Sequence, residues 1–164
     1  MRGQGIIFDF VVSLSFFVVG VVIMVGALDM LGERMEKERD YANVARAAYF
    51  ASESLLSLGS PENWNTNVLA LNQIQVGLGA APGELHGAKI RNFAALNATD
   101  YDGLRSALGV GKYDLYVNIT QLQGNQSYLV GKFFDESYGD FDYRVERYAL
   151  LDGNLTRVVV GVWK

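Results

Sequence analysis

The sequence predicts an α+β fold in which one long N-terminal helix, apolar throughout its first half and amphipathic in its second, packs on a C-terminal antiparallel β-sheet. Three observations carry that prediction. Residues 10–28 form an apolar run of 19 residues without a charge, long enough to cross a bilayer as a helix. Residues 32–58 hold no proline and no interior glycine and repeat apolar side chains at helical spacing. Beyond Lys112 the apolar period shortens to two, the pattern of half-buried strands.

Composition narrows the function classes. A chain of 164 residues suits one soluble domain with one appended element. The net charge of -4 offers no basic surface, so no nucleic-acid partner is expected. The absence of cysteine excludes disulfides, thiolate metal sites and cysteine nucleophiles together.

The elements follow in order. Residues 6–28 read as a membrane-spanning helix. A secretory signal would end in small residues at a cleavage site, whereas this run ends Ala27-Leu28-Asp29-Met30, so the segment is an anchor that stays attached. Residues 29–58 continue the helix with an amphipathic face of Val44, Ala47, Ala48, Ala51, Leu55 and Leu58, until Gly59-Ser60-Pro61 supplies a stop. Residues 6–58 together make one helix of roughly 80 Å. Residues 59–112 are an irregular, glycine-punctuated region with short helices at 88–96 and 101–108. Residues 113–164 hold four strands, read as an antiparallel meander covered by the second half of the long helix. Asp152-Gly153 is a tight-hairpin signal that pairs the last two strands.

Asp9 stands at the mouth of the apolar run. A carboxylate at the edge of hydrocarbon is costly unless it is paired, so it marks either a pairing site or a helix-end residue at headgroup depth. The charge rule for orientation conflicts with the sequons. Arg2 precedes the span while Arg34, Lys37 and Arg39 follow it, which favours a cytoplasmic C-terminus. Four N-glycosylation triplets, at Asn97, Asn118, Asn125 and Asn154, point to an exported domain, where chance gives about one in a chain with 10 Asn. The basic residues are interleaved with Glu33, Glu36, Glu38 and Asp40 at helix-pairing distances, so the C-terminal domain is placed outside.

Catalytic chemistry is nearly absent. His86 is the single histidine, in a glycine-rich loop, and reads as a solvated side chain. Asp100/Asp102 and Asp140/Asp142 lack the rest of a calcium loop and read as turn residues. The glycines of residues 76–83 lack the lysine of a phosphate loop. Neither a metal nor a cofactor is expected. Trp64, Trp163 and the nine tyrosines are expected to fill the helix and sheet interface rather than an adhesive surface.

A short basic leader ending in Gly3-Gln4, an acid within a few positions, a long apolar run, a continuous helix and a C-terminal β-domain resemble type IV pilin-like proteins. The archaeal kind with a class III signal peptide is the closer match, and "GSPENWN", "VGLG", "KIRNF", "YDGLRSALGV" and "YDLYVNI" resemble the body of archaeal minor pilin-like proteins. The resemblance implies a leader of residues 1–5 cut after Gly3 or Gly5, so that Gly3, Gln4, Gly5 and Ile6 are the processing residues. It implies a surface-filament subunit whose partners are other pilin subunits, a prepilin peptidase with its assembly platform, and the lipid bilayer. Asp9 departs from the family by one residue, being sixth or fourth in the mature chain where the pilin glutamate is fifth. Its implied role is register: removing the leader frees an α-amino group, charged below a pH of roughly 8, that Asp9 can pair with in an apolar bundle. The alternative is a single-pass anchored extracellular binding domain that never polymerises, and an anchored enzyme ranks far behind.

Overall fold

The computed structural model describes residues 3–66, 71–124, 126–133 and 142–164. The chain divides into two compact units, residues 1–40 and 41–164. Helix α1 (Gly3–Leu56) begins in the first and ends in the second. The fold is α+β, with a long apolar N-terminal helix and a curled, mixed C-terminal sheet.

Among its described residues the first unit is helix alone. From Phe10 to Leu31 its large apolar side chains are all exposed. In the second unit the amphipathic pattern is realised: Val44, Ala47, Ala48, Ala51 and Leu55 are buried. Leu58 is not part of that face, being 38% exposed, because α1 ends at Leu56. The chain turns at Gly59, whose φ of +78° is a conformation open to glycine at little cost.

The end of α1 is closed by residues 76–79. Leu78 N–H donates to Leu55 O and Gly79 N–H to Ser57 O, each at 2.8 Å, so carbonyls that no helical turn can satisfy find partners. The approach is close because position 77 carries no side chain. A Cβ there would lie 2.3 Å from Gly59 N and 2.4 Å from Ser57 O. Trp64, buried, donates its indole N–H to Gly77 O at 2.8 Å.

Strands β1 (Gly79–Ala81) and β2 (Glu84–Leu85) follow, then helices α2 (Gly87–Thr99) and α3 (Tyr101–Ala107). His86 caps α2 by accepting from Ala88 N–H, and Asp100 caps α3 by accepting from Gly103 N–H. The remaining strands are β3 (Asp114–Gln121), β4 (Ser127–Gly131), β5 (Asp142–Leu151) and β6 (Asn154–Trp163).

The sheet order is β1-β2-β5-β6-β3-β4. Two expectations are corrected. The sheet is mixed rather than antiparallel, since β2 runs parallel to β5 with Leu85 opposite Leu151. The last four strands are two hairpins joined through β6 rather than a meander, and β6 lies between β5 and β3. Their composition accounts for the order. Strand β6 carries the near-continuous apolar run Val158, Val159, Val160 and Val162 suited to a central strand, whereas β4 is short and half exposed as an edge strand is. Strand β4 stops at Gly131, φ +95°, where a Cβ would meet Leu115 O at 2.0 Å. The Asp152-Gly153 turn joins β5 to β6 as its sequence predicts, with both residues at positive φ.

One row of four valines crosses the sheet: Val145, Val160, Val117 and Val130 lie side by side, all buried. This inner face meets α1 and α2. Tyr41 of α1 packs edge-on against Tyr143 at 5.8 Å, and Glu53 pairs with Arg147 at 2.9 Å. Phe93 and Ile90 of α2 complete the core.

Candidate functional site

The candidate site is the apolar part of α1, and its chemistry is that of an unburied hydrocarbon surface. Among the described residues one helix is long and apolar enough to cross a membrane. Its most apolar 18-residue window has a mean hydropathy of 2.7 with none of it buried. Soluble domains rarely leave an apolar patch of this extent in water, and the segment is compatible with a lipid environment. Backbone polarity is no obstacle, because a helix satisfies its own N–H and C=O groups. Ser15 follows the same economy by donating its hydroxyl to Val11 O at 2.8 Å. Gly20 and Gly26 have no atom within 4 Å of a built Cβ, which leaves flat places where another helix can approach.

Gly3, Gln4, Gly5 and Ile6 form the first turn of α1. Asp9 lies beyond that turn, exposed, and has no hydrogen bond or ion pair among the described residues. Nothing in the described chain therefore neutralises the acid at the N-terminal edge of the apolar run. The charged residues at 33–39 are likewise exposed. No ion pair joins Glu33 to Lys37 among the described residues.

The sequons fall in three settings. Asn97, near the end of α2, accepts at its side-chain oxygen from Gly131 N–H at 3.0 Å and so ties α2 to β4. Asn118 stands on the outer face of β3 and accepts from the Thr120 hydroxyl of its own triplet at 2.8 Å. Asn154 opens β6 at the hairpin, where its backbone carbonyl accepts from Thr156 at 3.1 Å. All three are half-buried, and Asn125 lies outside the described residues.

The titratable groups serve the fold. Asp102 and Arg105 pair at 2.5 Å on α3, and Asp114 pairs with both Arg105 and Lys132. The Tyr101 hydroxyl, which accepts from Leu115 N–H at 2.9 Å, is pushed above its usual pKa chiefly by burial. Tyr148 is raised by its hydrogen bond to Glu146. Among the described residues no group of three His, Asp or Glu is placed to hold a metal ion. Asp142 opens β5, while Asp140 lies outside the described residues.

Sequence reasoning misses Lys89. It is buried on α2, and its ammonium donates to Leu58 O at 2.7 Å and Gly79 O at 2.9 Å. Burial lowers its pKa, opposed by the charge of Glu62. Its sequence signal is weak: it precedes Ile90 and lies four residues before Phe93, on the apolar side of α2. The aromatics divide. Trp64, Trp163 and Tyr113 are buried as expected, whereas Tyr41, Tyr49 and Tyr148 are about half exposed. The chain matches no family model, no curated protein and no solved structure.

Proposed function

We propose that this protein is a structural subunit, a minor pilin or pilin-like protein, of an archaeal type IV pilus-like surface filament, held in the membrane through α1 before assembly. The observation that carries the reading is the division of labour within α1. Helix α1 runs from Gly3 to Leu56, exposing apolar side chains in the first unit and burying Val44, Ala48, Ala51 and Leu55 in the core of the second. A helix that only tethers a domain has no need to be part of that domain's core. A helix that must transmit subunit packing to the domain does. The exposed apolar surface is soluble in lipid before assembly and among the same helices of other subunits afterwards, with Asp9 paired to a processed N-terminus. The domain stands outside the cell in this reading, where the sequons are accessible to glycosylation.

N-terminal sequencing of the protein isolated from native membranes tests the proposal. A mature chain beginning at Gln4 or Ile6 supports processing by a prepilin peptidase. An intact Met1, or a start beyond residue 28, overturns it.

A further inference from the structure

We propose that the cleft between α1 and the turn joining α3 to β3 binds a phosphate- or sulfate-type oxyanion. The cleft has a volume of about 470 Å³ and lies within the second unit. Its polar lining is Asn43, Arg46, Lys112 and Tyr113, over an apolar floor that includes Ala47 and Val110. No carboxylate lines it, although the chain carries a net charge of -4. Neither Arg46 nor Lys112 has a carboxylate partner among the described residues, whereas Arg105, Lys132, Arg147 and Arg157 all do. Two cations gathered without an acid mark a place where negative charge is welcome from outside.

A second observation points to a ligand. Tyr113 is 4% exposed, yet its hydroxyl is buried without a hydrogen-bond partner, a costly state for a polar atom. The ammonium of Lys112 rests over the same ring, 5.1 Å from its centroid. An anion that draws Lys112 off the ring opens the route to the hydroxyl and gives it an acceptor. The turn can adjust, because Gly109 and Gly111 hold it at positive φ with open space where a Cβ would stand. Four donor side chains suit an oxyanion with three or more acceptor oxygens better than a carboxylate with two. The oxyanion can be soluble or the ester of a lipid headgroup.

The test uses the full chain in detergent micelles, titrated calorimetrically with sodium phosphate against sodium chloride at matched ionic strength. Saturable binding of phosphate is expected, weakened about tenfold by Arg46→Gln or Lys112→Gln. Tyr113→Phe should weaken binding severalfold without lowering the melting temperature, since its hydroxyl has no partner in the free protein. Phosphate binding that persists unchanged in phosphatidylglycerol nanodiscs assigns a soluble source, and its loss by competition there assigns a headgroup. Absence of saturable binding in both settings overturns the proposal, as does binding that all three variants leave unchanged. This cleft is independent of the filament reading, so either can fail alone.

Discussion

The ammonium of Lys89 donates to the carbonyl oxygen of Leu58 at 2.7 Å, joining a side chain of α2 to the backbone just past the end of α1. The same group holds Gly79 O, so one cation gathers the helix end, strand β1 and α2. Carbonyls at a helix C-terminus carry partial negative charge, which a nearby cation offsets. The position explains why a lysine tolerates burial here.

Lys89→Ala should lower stability by about 2–3 kcal/mol, because it strands two carbonyls in a buried place. The effect should depend on pH. Burial holds the folded-state pKa below the unfolded value of 10.5, so over the window between the two the unfolded chain binds more protons. Stability therefore rises with pH through that window as the charged form, penalised by burial, is lost. Urea unfolding of wild type and Lys89→Ala across the alkaline range measures the difference, and a pH-independent difference would discard the linkage.

Much of the fold is legible in the sequence because it is local. The apolar face at Val44, Ala48, Ala51 and Leu55, the two short helices, and the Asp152-Gly153 hairpin each follow from spacing or turn chemistry. Strand order is not local. Nothing in β6 alone says that β5 and β3 will flank it, although the run Val158-Val159-Val160 departs from strict alternation and hints at a central strand. Strands β1 and β2, of three and two residues, are too short for any period to register. Lys89 is hidden because lysine is almost always exposed, and only the tertiary arrangement supplies its two carbonyls. The apolar helix was legible from length and charge alone, whereas the setting of Asn97 depends on Gly131, which lies far along the chain at the end of β4.

Val160 tests the sheet. It is fully buried in the middle of the valine row, so Val160→Ala should cost about 2–3 kcal/mol through lost transfer energy and an unfilled cavity. Its neighbour Val159 faces the other side and is half-buried, so Val159→Ala should cost about 1 kcal/mol or less. Equal costs for the two in thermal unfolding would mean that the face of the sheet carrying Val160 is no better packed than the face carrying Val159.

Residues 29–164 expressed alone should be soluble and folded. The fragment discards the exposed apolar stem and keeps the buried face of α1, which shares its core with the sheet. Circular dichroism should report both helix and strand, with a cooperative thermal transition. A mostly unfolded fragment would mean that the stem is needed for the domain to fold.

Asp9 tests assembly directly. It is exposed beyond the first turn of α1 and has no partner among the described residues, so its carboxylate contributes little within one chain. Asp9→Ala should leave membrane insertion intact, since removing a charge eases insertion by up to roughly 3 kcal/mol at full burial and less near the interface. In a filament the variant should fail. The neighbouring α-amino group would lose its partner among apolar helices, and breaking a buried pair from one side costs about 3–5 kcal/mol. That penalty recurs wherever the variant subunit makes the contact. Asp9→Glu keeps the charge with one more methylene and should assemble in part, while Asp9→Asn should assemble poorly. The measurement is the protein recovered in sheared surface filaments relative to the membrane fraction, with leader cleavage followed separately. Equal recovery of wild type and Asp9→Ala would reduce Asp9 to a residue that favours the helix end, and the anchoring role of α1 would stand without it.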